Sequence, residues 1–257
     1  VNFKRAFKVS ALITVLFLVA FPLICKADVY IKQKRHTDAF EVMGQAQPEK
    51  NEITVTWMSK DKGRFDMGEE QSTIIRLDKN MMYFLDHAKK TYTEMPFGDL
   101  SEVILGTVPE SELSEEERKE AQKFMKGITS TMMKADAEVT DTGEEQKIKD
   151  WNCRKYIMKV KMMMATTTAE IWATEDIKID YDLYRTLGAA VISKQPGFRE
   201  MFEEMKKIKG IAVLTTSASS AMGAEVKSSE ELLEFEKKSA PSGAYEIPAG
   251  YTKAKAD

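Results

Sequence analysis

Between Asn152 and Met164 the chain alternates two kinds of side chain. Tyr156, Met158, Val160, Met162 and Met164 fall on one side, and Lys155, Lys159 and Lys161 fall on the other. A helix of 3.6 residues per turn cannot sort such a pattern, but a strand with one buried and one wet face does. The same period recurs where Ile53, Val55 and Trp57 alternate with Thr54, Thr56 and Met58, and again across Arg64-Phe65-Asp66-Met67 after the turn Asp61-Lys62-Gly63. Gln71 to Leu77, Met81 to Asp86 and Thr91 to Glu94 follow, parted by the polar turns Asp78-Lys79-Asn80 and His87-Ala88-Lys89-Lys90. Short strands joined by polar turns predict an antiparallel meander. Val29 to Phe40 reads as an extended segment, and Thr166 to Thr174 is expected to pair with the alternating segment before it. Ile211 to Ser217 and Ala224 to Phe235 read as closing strands.

Two blocks break this period. Ser114 with Glu117 forms a capping box, and Leu113, Ala121, Phe124, Met125, Ile128 and Met132 then recur at helical spacing. Leu183, Tyr184, Leu187, Ala190 and Val191 share a second helical face that ends at Pro196-Gly197. Phe198, Met201, Phe202, Met205 and Ile208 make a third amphipathic stretch, stopped by Gly210.

The N-terminus carries an export pattern. Lys4, Arg5 and Lys8 precede the apolar stretch Val9 to Ile24, and Cys25-Lys26-Ala27 places small residues at the −3 and −1 positions of a cleavage site. Residues 1–27 are therefore expected to be a signal peptide cut after Ala27, leaving 28–257 as one domain in the periplasm. A permanent anchor is the alternative, but the stretch is shorter than the ~20 residues a span needs. Lipidation at Cys25 would want a small residue before the cysteine, where Ile24 stands. Losing the leader removes four lysines and arginines and no acid, taking the net charge from −3 to −7. That balance argues against nucleic acid and against steady adhesion to anionic lipid. No stable membrane insertion is expected once the leader is gone.

Catalytic residues, metal ligands and cofactors are not expected. His36 and His87 lie far from any nucleophile motif, and the chain has no P-loop, dinucleotide or zincin signature. Cys153 reads as a buried small apolar residue, with a reactive thiol as the alternative. All 16 methionines fall after Ala27. Flexible thioethers suit either a core or a lining that adapts to apolar ligands. They also suit copper(I), but adjacent strand residues such as Met162 and Met163 point to opposite faces and no histidine accompanies them.

The order of elements, with strands, helices, long paired strands, helices and strands again, resembles the LolA/LolB-type fold of periplasmic lipoprotein carriers. More closely, the chain is similar to a bacterial family, domain of unknown function 4412. The similarity is carried by Thr56-Trp57-Met58-Ser59-Lys60-Asp61-Lys62-Gly63-Arg64-Phe65-Asp66, Ile74-Ile75-Arg76-Leu77-Asp78 and Met81-Met82-Tyr83-Phe84-Leu85-Asp86. Lys90-Thr91-Tyr92, Cys153-Arg154-Lys155-Tyr156, Glu170-Ile171-Trp172 and Ile247-Pro248-Ala249-Gly250-Tyr251 complete it. The resemblance implies an α+β fold: a strongly curved antiparallel β-sheet, LolA-like and open as a half-barrel, with helices covering the concave face. By fold-level analogy it implies a periplasmic binding protein that holds a lipid or a lipoprotein acyl chain. The lining would then be Trp57, Phe65, Tyr83, Tyr156, Met158, Met162 and Trp172 from the sheet, with Phe198, Met201, Phe202 and Met205 from a helical lid. Arg64 and Arg76 are possible counterparts of a carrier's cavity arginine. The rival expectation is a non-enzymatic structural or sensory envelope module whose core is closed. An enzyme would need a polar cleft with His36 or His87 beside a nucleophile.

Overall fold

The computed structural model describes residues 28–42, 44–96, 120, 136–162, 165–178, 199–221 and 223–254. The leader with its Ala27 cleavage site, the helix expected around 183–191, all of the helix expected around 114–132 except Glu120, and Met163, Met164 and Phe198 lie outside the described residues.

Alternation at the sequence level becomes strand almost everywhere it occurs. The meander is β4 (Lys50–Met58), β5 (Lys62–Met67), β6 (Gln71–Arg76), β7 (Met81–Asp86) and β8 (Thr91–Pro96). Before it come β1 (Asp28–Thr37) and a small hairpin of β2 (Phe40–Val42) and β3 (Gln45–Gln47). A second meander follows: β9 (Asp136–Ile148), β10 (Trp151–Met162), β11 (Ala165–Thr174), β12 (Ile211–Ala221) and β13 (Ala224–Lys238). The chain ends in β14 (Thr252–Lys253), parallel to β8. Twelve strands form one sheet in the order β14-β8-β7-β6-β5-β4-β1-β13-β12-β11-β10-β9. β1 joins the two meanders, pairing antiparallel with β4 on one side and β13 on the other.

These findings overturn the expected helix-covered α+β half-barrel. Strand makes up 68% of the described residues, and the sheet is neither curled nor closed. The described α-helix of more than one residue is α1 (Arg199–Met205), seven residues long and seated on β9. The physical reason lies in what covers the apolar faces. Val29, Ile31, Met58, Ile75, Met82, Cys153, Ile211 and Leu232 pack into one cluster with Phe65, Trp151 and Phe235 against them. The other face of β5–β7 is covered by irregular backbone after β13, as described below. A smaller cluster of Val139, Tyr156, Ala169, Ile171 and Ala173 is covered by Ile208 from the turn after α1. Among the described residues no helix is long and apolar enough to cross a membrane.

Candidate functional site

The densest polar site is built by the first meander and the segment after β13. On a strand, residues two apart share a face, so Arg64 and Asp66 stand side by side on β5, and Arg64 Nε donates to Asp66 Oδ1 at 2.7 Å. The register sets Ser72 of β6 opposite Asp66, and the Ser72 hydroxyl donates to the same carboxylate oxygen at 2.5 Å. His87 Nε2 lies 2.6 Å from Ser72 Oγ, and its Nδ1 lies 2.5 Å from the Tyr251 hydroxyl. Because Ser72 commits its single proton to Asp66, the ring donates from Nε2 and accepts from Tyr251 at Nδ1. Arg64 adds a donor to Ser72 Oγ at 3.1 Å and another to the Ala244 carbonyl at 3.2 Å.

This contact sets a histidine beside a serine hydroxyl, the pairing that an enzyme reading asks for. Ser72 is 2% exposed, its proton is held by the Asp66 carboxylate rather than by the His87 imidazole, and its oxygen already accepts from His87 and Arg64. The network satisfies buried polar groups, which are costly when left unpaired.

A second anchor repeats the spacing. Arg76, at the end of β6, is 5% exposed. Its Nε and NH2 groups fork onto the two oxygens of Asp78 at 2.8 and 2.6 Å. Its NH1 donates to the Tyr245 carbonyl at 3.2 Å and to Glu246 Oε1 at 2.5 Å. The hydrogen bond from Arg76 is the main cause that lowers the Asp78 carboxyl from 3.8 to about 2. Burial alone would raise the Glu246 carboxyl, but the hydrogen bond and charge of Arg76 outweigh it and leave it below its ordinary value. A carboxylate depressed on folding stabilises the protein above its unfolded pKa, and that contribution is lost as pH falls through the folded one. The urea midpoint of the protein should therefore fall as pH drops from 3.8 to about 2. In Asp78→Asn that part of the acid dependence should be absent. Equal acid slopes in both proteins would remove Asp78 from the account.

Together the two arginines fasten residues 240–254 over β5–β8. Beneath that segment Ile74 is fully buried and Leu85 nearly so. The Tyr245 hydroxyl is buried without a hydrogen-bond partner, and burial, with the nearby Asp28 carboxylate second, pushes its phenol up.

Two other sites stand in the second meander. A groove of about 430 Å³ crosses β10 to β1, lined by Ile157, Thr168, Glu170, Thr216, Lys227 and His36 among others. His36 is pinned there: Nε2 lies 2.9 Å from Asp38 and Nδ1 lies 3.1 Å from Asn51. A cavity of about 490 Å³ is lined by Cys153, Arg154, Tyr156, Lys147, Lys209 and Asp176 among others. Arg154 is held there by both oxygens of Asp141 at 2.7 and 2.8 Å. Cys153 is free and buried, and burial pushes its thiol up, away from the thiolate that a reactive cysteine needs. No group of three or more His, Cys, Asp or Glu among the described residues is arranged to hold a metal.

The residues expected to line an apolar cavity are dispersed over several environments. Tyr156 is 1% exposed and central to the smaller cluster, with Met158 packed against it. Trp172 is buried in the larger cluster, where its indole nitrogen donates to Glu170 at 3.0 Å and Lys155 lies over its ring. Phe65 packs on that cluster too. Trp57 instead meets Tyr30, with ring centroids 4.7 Å apart and Lys238 near both, and Tyr83 meets Tyr92 edge-on. Met201 and Phe202 are partly buried on α1, whereas Met162 and Met205 are exposed. Arg64 and Arg76, the possible cavity arginines, hold the C-terminal segment. Sequence reasoning missed Ser72, Asp66 and Tyr251 as one network. The cross-strand pair of Asp66 and Ser72 was readable from the hairpin turn at Gly68, but Tyr251 lies 164 residues from His87.

No curated protein matches the chain. One solved structure, described as "Structure of PNGF-II in C2 space group", shares 13% identity with a TM-score of 0.34. The match covers 87% of this chain and 31% of that chain, so this chain spans less than a third of its length. A likeness at that score carries no argument. The stretches of sequence that form the two arginine anchors, and the Ala244–Tyr251 segment that they and His87 hold, fall within residues 41–251, which match the family described as Domain of unknown function (DUF4412). This protein belongs to that family.

Proposed function

We propose that this chain is a non-enzymatic structural or sensory module of the cell envelope, exported to the periplasm through residues 1–27, with a core filled by its own side chains. The observation that supports it most is the fate of the bulky sheet residues: Tyr156 at 1% and Trp172 at 8% exposure are packed by neighbours. The cavity that Tyr156 borders is lined mostly by charged and polar groups such as Lys147, Arg154, Asp176 and Lys209, which suit water better than a hydrocarbon tail. The saturated Ser72–His87 contact supports the non-enzymatic side of the reading. Specific contacts would then fall to polar surface such as the hydroxyl-lined groove beside His36.

Native mass spectrometry of the protein isolated from its own envelope tests this. A mass equal to the polypeptide beginning at Asp28, with no adduct, is the expected result. A co-purifying lipid would overturn the filled-core reading in favour of an apolar-ligand carrier. A mass retaining residues 1–27 would overturn export by cleavage after Ala27.

A further inference from the structure

The twelve-stranded sheet runs from β14 to β9 and so has two edges. An edge strand turns a row of unpaired amides and carbonyls outward, where a strand of another chain can take them. At one end β14 is only two residues long, and its parallel contacts close the β8 edge. The Thr252 amide donates to the Lys90 carbonyl at 3.1 Å and the Ala254 amide to the Tyr92 carbonyl at 2.8 Å. At the other end β9 is thirteen residues long and pairs with β10 along one side. Along its other side, among the described residues, stands α1.

The C-terminal part of β9 closes itself. Thr142, Gly143 and Glu144 stand opposite Lys155 alone, a bulge that bends the strand. The Gly143 amide donates to the Asp141 carboxylate at 3.0 Å and the Glu144 amide to the Thr142 hydroxyl at 3.1 Å. That leaves the regular run Asp136 to Asp141. On an antiparallel edge strand alternate residues turn both backbone groups away from the sheet. Val139 is one of these, and its amide donates to Glu204 Oε2 of α1 at 2.8 Å. Ala137 and Asp141 turn outward on either side of it. Asp136 and Glu138 sit opposite Lys161 and Lys159 in register, so acidic repulsion alone does not close this run. Glu204 is itself held, with Lys207 Nζ 2.6 and 2.7 Å from its two oxygens. The Lys207 hydrogen bond first, and the Val139 amide second, keep its carboxyl below the ordinary value.

We propose that α1 is an autoinhibitory guard: by taking the central outward amide of Asp136 to Asp141, Glu204 keeps the β9 edge from adding a strand of another chain. The inference goes beyond the proposed function and does not depend on it. Glu204→Ala removes the acceptor, whereas Glu204→Gln keeps an acceptor oxygen. Light scattering over a range of protein concentrations gives the mass, and NMR gives amide exchange residue by residue. At low concentration Glu204→Ala should have the wild-type mass, with the Val139 amide exchanging about tenfold faster. On concentration its mass should rise while the amides of Ala137, Val139 and Asp141 regain protection, because an added strand takes them. Wild type and Glu204→Gln should keep one mass throughout. An alanine variant whose mass stays constant, or one that associates without protecting those three amides, overturns the proposal. So does a glutamine variant that associates as the alanine variant does.

Discussion

Gly210→Ala is expected to lower stability by more than about 3 kcal/mol in urea unfolding, the sum of a strained backbone and a forced displacement. Gly210 joins the turn after α1 to β12 at φ 93°, a region that L-residues with a Cβ rarely adopt. A Cβ built there would lie 2.0 Å from the Thr174 carbonyl oxygen and 2.4 Å from its carbon. Those atoms belong to backbone, so no side chain can swing away to make room. Thr174 is itself fixed, fully buried, with its hydroxyl donating to the Asn152 carbonyl at 2.8 Å. Displacing it would strain the ends of β10, β11 and β12 together. Gly143 supplies the control: its φ is 76° and nothing lies within 4 Å of a built Cβ. Gly143→Ala carries the dihedral cost alone, about 1 kcal/mol. If the two variants lose the same stability, the close approach at Thr174 contributes nothing.

Alternation located the strands well because it is a local signal. Ile53 to Met58 lies inside β4, and the segment from Asn152 onward became β10 with β11 paired to it as expected. The repeated spacing Arg64-x-Asp66 and Arg76-x-Asp78 was also visible, and in the first pair two residues apart on a strand means one face, whereas Asp78 stands in the 3-10 turn that follows β6. Pairing order was not visible, because alternation says which face is buried and not which strand lies alongside. β13 was read as closing the fold, yet it sits mid-sheet against β1, where Lys32 meets Glu234 and Arg35 meets Glu230. Those ion pairs join residues about two hundred positions apart and acquire meaning only once the register exists. The segment from Tyr245 to Tyr251 runs mostly through turns before β14. Its importance was hidden because it carries no period, and its grip depends on main-chain carbonyls that every sequence possesses. Helices were expected over the sheet because of the helical spacing at 113–132, 183–191 and 198–208 and the resemblance to lipoprotein carriers, whereas irregular backbone held by two arginines covers β5–β7.

Arg76→Ala is the substitution that tests this grip, with an expected loss of about 2–4 kcal/mol. Removing one member of a buried charge cluster typically costs about 3–5 kcal/mol. The figure is lower here because the Asp78 and Glu246 side chains keep 30% and 56% of their exposure and can recover water. What water cannot restore is the fork itself, which holds Asp78 with two parallel bonds while its third nitrogen reaches Tyr245 and Glu246. Arg76→Lys keeps the charge but offers a point donor in place of a planar one, so it should fall between wild type and alanine. Lys79→Ala removes an exposed contact of 3.5 Å to the same Glu246, and should cost less than about 0.5 kcal/mol. Limited proteolysis separates local from global loss: Arg76→Ala should be clipped within residues 240–254 under conditions where β9–β13 remain intact. If Lys79→Ala matches Arg76→Ala in both urea and protease assays, net charge rather than arginine geometry holds the segment. In that case the carbonyl contacts of Arg64 and Arg76 would be consequences of its position instead of the cause.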